Sequence, residues 1–150
     1  MPKPFVPLTL AQFRDMLARF PFSRAVSVVH MHHTWRPNRA QYNGLASIDA
    51  MHEFHTKERG FSDIAQHITI APDGTIWTGR NWNKAPASAT GHNGSEQSGP
   101  FMFEMIGDFG TGQDPFDDPQ RSTVLEVIAA IQGRFRLPPE ALRFHRQMAQ

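Results

Sequence analysis

Three histidines, His30, His32 and His33, fall within the stretch VVHMHHTW at residues 28–35. An imidazole is costly to bury without partners and useful where a metal is held or a proton moved. His30 and His32 are two apart in a valine-rich run, so in a strand both side chains share one face. Two neutral imidazole nitrogens on one face can converge on zinc; they can equally form a hydrogen-bonded pair at a strand end. The run HMHH opens like a metallo-hydrolase pattern in which Asp-His follows, but Thr34 and Trp35 follow here and the match fails. His52 and His55 have helical i, i+3 spacing beside Ile48 and Met51, which fits an amphipathic face better than a ligand pair. His145 sits in a short apolar segment, ALRFHRQ. Glu104 interrupts the apolar run FMFEMIG, and a carboxylate on a central strand needs a partner there. It either orients a histidine or pairs with an arginine.

Composition narrows the chemistry. The 150 residues contain no cysteine, which excludes disulfides, thiolate catalysis and cysteine-ligated zinc within this sequence. A formal net charge of +1, with lysine and arginine scattered, gives no basic field for nucleic acid. No run approaches the roughly 18 consecutive apolar residues of a membrane helix, so membrane insertion is not expected. The segment MPKPFVPLTL lacks the uninterrupted apolar core of a signal peptide, and the chain as written is expected in the cytoplasm.

The elements that must position these groups are legible in outline. Thr9 and Gln12 fit a capping box, followed by Leu10, Phe13, Met16, Leu17 and Phe20 at helical spacing until Pro21. Residues 25–32 favour a strand. Ser47 is placed to cap a second helix that Gly60 ends. Residues 63–80 read as strand, turn and strand around Pro72-Asp73-Gly74. Residues 81–100 are a long polar loop, and loops of that length are usually functional or mobile. Residues 101–109 read as a central strand. Asp118-Pro119 opens a last helix as N-cap and first residue, with Val124, Leu125, Val127, Ile128 and Ile131 facing the core. This order predicts an α/β fold: a single domain with a central mixed β-sheet flanked by helices.

The order HHT, then DIAQHITIAPDGTIWTGR, then GHN, then FMFEMIGDF, then FHR resembles the type 2 N-acetylmuramoyl-L-alanine amidases and the peptidoglycan recognition proteins. The resemblance runs from about Val26 to His145. It implies a single domain of that type over residues 1–150, with peptidoglycan or a muropeptide as partner. It also implies one zinc in a groove, and cleavage of the amide between N-acetylmuramic acid and L-alanine. On the motif positions His32 and His145 become zinc ligands, with His30 a further candidate on the same face. The catalytic candidates become Gln66, whose amide can orient water or the oxyanion, and His67 and Glu104, which can handle a proton. The groove is expected from residues 34–45 and 81–99, with Trp35, Tyr42, Trp82, Ser88 and Asn93 meeting sugar rings and stem peptide.

The sequence departs from the family pattern in three places. A cysteine or aspartate usually follows the late histidine as third ligand; after His145 come only Arg146, Gln147, Met148, Ala149 and Gln150. That ligand is expected beyond Gln150, or the site is incomplete. Gln66 occupies a position often held by a catalytic tyrosine or glutamate, and an amide is no general base near neutral pH. Ser88 stands where many relatives have a histidine. The alternatives to a zinc amidase are therefore a recognition module that binds the same ligand without cleaving it, and a groove reused for a partner protein.

Overall fold

The computed structural model describes residues 4–87 and 90–144. Among them, strands β1 (Pro7–Leu8), β2 (Ala25–His33), β3 (Ile68–Ile70), β4 (Ile76–Thr78), β5 (Ser98–Met105) and β6 (Leu142–Phe144) form one sheet in the order β1-β4-β3-β5-β2-β6. β3, β5, β2 and β6 run parallel; at one edge β4 pairs antiparallel with β3, and β1 antiparallel with β4. The sheet is mixed, with helices α1 (Leu10–Arg19), α2 (Leu45–Glu53) and α3 (Gln120–Arg134) around it.

Alternation along β5 separates two cores. Phe101, Phe103 and Met105 join Val29, Ile68, Ile70, Phe13 of α1 and Val124, Val127 and Ile131 of α3 in one apolar cluster. Trp82 belongs to this cluster too, ringed by Phe13, Phe20, Phe22 and Phe101. On the opposite face Ile106 and Trp77 meet Ile48 and Met51 of α2, with Ile64 and Phe5. Strand period two makes this division, and it puts His30, His32, Met102 and Glu104 on the α2 side.

Local chemistry explains the ends of these elements. The Thr9 capping box forms as its sequence predicts, with Thr9 N–H to Gln12 Oε1 at 2.8 Å and Gln12 N–H to Thr9 Oγ1 at 3.1 Å. Helix α2 starts earlier than its expected cap: Gly44 at φ 56 precedes Leu45, and Ser47 lies inside the first turn, where its Oγ accepts the Asn43 N–H at 2.8 Å. Its last turn widens into a π-helical turn, Phe54–Glu58, before Gly60 at φ 72 turns the chain. For α3 the cap position is Pro119 rather than Asp118; the Asp118 carboxylate instead reaches the Ser122 N–H at 3.0 Å.

Gly79 sits where the β4 end crosses the chain before β3. A Cβ there would lie 2.4 Å from the Gln66 carbonyl oxygen and 3.0 Å from that of His67, both backbone atoms. Gly133, in the last turn of α3, has nothing within 4 Å of such a Cβ. Gly79→Ala should therefore destabilise by about 1–3 kcal/mol through forced backbone movement. Gly133→Ala should stabilise by about 0.5–1 kcal/mol through helix propensity. Urea denaturation of both variants checks the contrast; equal effects would contradict it.

Candidate functional site

The parallel pairing of β2 and β5 sets His32 beside Glu104, and β3 sets Thr69 on the other side of Glu104. Paired residues share a sheet face, so these three side chains form one row on the α2 side. The row opens at the C-terminal ends of β2 and β5, where the next segments leave the sheet. A cavity of about 860 Å³ lies there. Its lining includes His32, His33, Thr34, Trp35, Arg36 and Glu104 from the sheet and the loop after β2. Ser47, Met51, Phe54, His55, Arg59 and Phe61 line it from α2 and the segment that follows. Open α/β sheets commonly bind ligands at this end of their parallel strands.

The Glu104 side chain makes no hydrogen bond or ion pair among the described residues, so the partner expected for it is not what the structure supplies. Desolvation raises its carboxyl to about 7 instead. A carboxyl titrating near neutrality can both take and return a proton. His55 also lines the cavity; its Nδ1 accepts the Ala65 N–H at 3.0 Å, which leaves the proton on Nε2. Burial first, then the charges of Arg59 and Arg80, lower its pKa to about 4. His52 turns away from the cavity to Asp63, 3.4 Å away, with its ring edge against Phe5.

His30 lies one pleat back from His32 on the same face, 4% exposed, with ring centroids 6.5 Å apart. Two imidazoles on one tetrahedral zinc have centroids roughly 5 Å apart, given zinc–nitrogen bonds of about 2.0–2.1 Å. The two rings are more widely spaced than that, so the structure places His30 on the face of His32 without bringing the pair to one point. Among the described residues no group of three or more histidine, aspartate or glutamate side chains is gathered to hold a metal ion. His145 and Ser88 lie outside the described residues.

His67, Gln66, Trp82, Tyr42 and Asn93 are each engaged in the structure, for a visible reason. His67 is completely buried; its Nδ1 accepts the Met102 N–H at 2.9 Å and its Nε2 donates to the Lys84 carbonyl at 2.8 Å. Both ring nitrogens are spent on backbone, so it cannot serve substrate. Gln66 is also fully buried, donating to Thr69 Oγ1 at 2.9 Å, and does not line the cavity. Trp82, 3% exposed, is core. The Tyr42 hydroxyl accepts from Trp77 Nε1 at 2.9 Å, and its ring packs on the α2-side cluster rather than lining the cavity. Asn93 is drawn to the far end of the sheet: buried Arg24 bonds the carbonyls of Asn93, Ser95 and Pro100, where β5 begins. Of the described residues in 81–99, none lines the cavity. Helix α2 and its π-helical turn form that wall instead. Polar composition marked a loop but carried no information about which end of the sheet it served.

Trp35 is where the sequence expected a ligand contact, on the cavity and 58% exposed. Its φ of 61 is a left-handed conformation that costs a non-glycine residue roughly 1–3 kcal/mol. Surrounding bonds hold it there: Trp35 N–H to Gly107 O at 2.9 Å, Gly107 N–H to Thr34 Oγ1 at 3.1 Å, and Thr34 Oγ1 to Pro37 O at 2.8 Å.

Comparison with known proteins decides the family. The family described as N-acetylmuramoyl-L-alanine amidase matches residues 22–150. The chain belongs to this amidase family. It is 32% identical over 141 residues to peptidoglycan-recognition protein LB of Drosophila melanogaster, covering 89% of this chain and 59% of that protein. It is 27% identical over 132 residues to an N-acetylmuramoyl-L-alanine amidase of Sus scrofa, covering 85% of this chain and 21% of the pig protein. The chain thus spans about a fifth of one relative and under two thirds of the other. A solved structure of a Drosophila PGRP-LB point mutant, in complex with tracheal cytotoxin, superposes with a TM-score of 0.68 at 28% identity. It covers 86% of this chain and 75% of that one.

Burial of His67 generates a pH dependence. Desolvation lowers its pKa to about 3, while the unfolded chain takes up that proton near 6.5. The unfolded state therefore binds more protons between these values, and stability falls as pH drops from 6.5 toward 3. His30, at about 4, acts in the same direction. His67→Asn should flatten the stability–pH slope below 6.5 by up to about 1.4 kcal/mol per pH unit. Urea denaturation of wild type and variant between pH 7 and 4 measures this; parallel slopes would contradict it.

Proposed function

We propose that this chain binds peptidoglycan fragments in the β2–β5 cavity and hydrolyses the amide between N-acetylmuramic acid and L-alanine. The observation that carries this reading is Glu104, a desolvated carboxyl set beside His32 in a cavity of ligand size. Family membership supports the reaction class, and the complex of the fly relative with tracheal cytotoxin supports the ligand class.

Zinc is the expected cofactor, and the donor chemistry is consistent with it in part. His32 offers an imidazole at the cavity. Phe144, paired with Met31 in the β2–β6 register, immediately precedes His145 in the sequence, as Met31 precedes His32. His32 and His145 would hold the ion, with a third ligand still to be supplied. When bound, zinc polarises the scissile carbonyl and lowers the pKa of water toward about 7. The Glu104 carboxylate takes the proton of the attacking water as the C–O bond forms. It returns that proton to the leaving nitrogen as the C–N bond breaks, giving a muramic carboxylic acid and a free L-alanyl amine. Gln66, buried and amide-bearing, takes no part in this proton transfer.

That last point favours the second reading, binding without turnover, if Glu104 does not suffice alone. The test follows release of stem peptide from purified peptidoglycan with added zinc. Glu104→Gln should lower the rate by about 10²–10⁴-fold and leave muropeptide affinity within a few fold. An unchanged rate would remove Glu104 from the mechanism. Binding with no release by the unaltered chain would establish the recognition module instead.

A further inference from the structure

The loop after β2 has a feature that amide hydrolysis does not use: a tryptophan held rigidly with its ring in the open. Trp35 is the exposed member of the chain's three tryptophans; Trp77 and Trp82 are 7% and 3% exposed. The Arg36 guanidinium lies 4.5 Å from the centroid of the Trp35 ring, over one of its faces. Arg36 is itself steadied by Asp108, 3.7 Å away. With Arg36 over one face, Trp35 remains 58% exposed at the cavity.

The clasp behind this ring is built from a second loop, residues 107–118. One carboxylate oxygen of Asp114 accepts two backbone N–H groups, from Arg39 at 2.8 Å and Asp108 at 2.9 Å. The Asp114 N–H returns a bond to the Asp108 carbonyl at 2.8 Å. Arg39 also pairs with Asp117. The two backbone donors hold the Asp114 carboxyl below its usual range, Asp108 the larger contributor. Gly107 completes the join: at φ 154 it lies against the Phe109 ring, and a Cβ would stand 2.5 Å from that ring. Asp114 thus ties the stretch carrying Trp35 to the end of β5, and a backbone conformation that tryptophan resists is kept in place. An exposed, strained and doubly braced aromatic at a ligand cavity is what pre-organised recognition requires.

We propose that Trp35 is the stacking platform for a sugar ring of the ligand, with Asp114 the positioning residue that holds the platform. A pyranose presents a face of C–H groups carrying partial positive charge, which complements the negative face of the indole. Arg36, fixed on one indole face, leaves one face for one ring. This rests on the reading of the cavity as the muramoyl-peptide site. It adds that the glycan is gripped at the β2 loop, apart from the stem peptide.

Two probes separate the parts: a peptide-free N-acetylglucosaminyl–N-acetylmuramic acid disaccharide and a sugar-free stem peptide. Tryptophan emission follows both titrations, with calorimetry for the variant that lacks Trp35. The disaccharide should shift the emission, and its Kd should rise about tenfold in Trp35→Ala, the upper range for an aromatic contact. The Kd for the stem peptide should stay within twofold. Asp114→Ala should weaken the disaccharide similarly, and Asp114→Asn, which keeps an acceptor oxygen, should recover most of the affinity. Urea denaturation confirms that each variant is folded. Equal losses for both probes in Trp35→Ala, or disaccharide binding indifferent to Trp35, would overturn the platform. If the unaltered chain still releases stem peptide in that case, the amidase reading stands while the platform falls. If it neither binds nor cleaves, both fall.

Discussion

The parallel pairing of β2 with β5 is the constraint on which the rest depends. It sets His32 next to Glu104, and it does so only in one register. A slip of one residue would turn every side chain of β5 to the other face. Glu104 would then enter the phenylalanine-rich core under α1 and α3, and Phe103 would enter the cavity. Two buried polar side chains oppose that slip. His67 accepts the Met102 N–H, two residues before Glu104, and Arg24 holds the Pro100 carbonyl near the start of the strand. Each would lose its partner in a shifted register, and an unpaired buried donor or acceptor costs about 1–3 kcal/mol. His67, a catalytic candidate by sequence, thus serves the site indirectly, by fixing with Arg24 the strand that carries it.

The division of labour between the two faces of the sheet follows. The α1–α3 face is apolar and dry, so it supplies most of the burial that holds the fold. The α2 face is apolar only toward β4 and β3, where Ile48, Met51 and Trp77 meet, and it opens above β5 and β2. The opening is what leaves His32 and Glu104 in reach of a ligand. Its walls come from elements that stop or bend early: α2 widens into a π-helical turn, and β2 ends in the left-handed turn at Trp35. Departures from regular helix and strand geometry concentrate at this rim, as is common where backbone strain serves binding.

Much of this was legible in the sequence, and the failures have physical causes. Capping chemistry and period-two alternation are local, so the Thr9 box, β2 and β5 could be read directly. Motif order carried the family and the position of His32. Side-chain destiny beyond the strand could not be read in the same way. Trp35 and Trp82 look alike as residues in polar loops, yet one stands open on the cavity and the other is enclosed by four phenylalanines. The difference lies in which face of the sheet each loop crosses, a long-range fact. His67 looked like a proton carrier, but its role is set by two backbone groups, on Lys84 and Met102, 17 and 35 residues away. Asp114 left no signal because its value lies in the two amides it gathers, one from Asp108 in its own loop and one from Arg39, 75 residues away.

Gln66 and Glu104 are best understood together. Gln66 donates to Thr69, and Thr69 is the register neighbour of Glu104. A carboxylate in place of that amide would put a second negative charge near Glu104 and disfavour its ionisation further. A buried cation would pull it toward the ordinary carboxylate range. A neutral amide does neither, so desolvation raises the Glu104 carboxyl, and a zinc ion held at His32 would bring it back toward the ordinary carboxylate range. The departure at Gln66 therefore removes one proton-handling group while preserving the electrostatic isolation of another. Where two groups titrate close together their protons belong to the pair; with an amide at Gln66, Glu104 is the one carboxyl in the row that β2, β5 and β3 form.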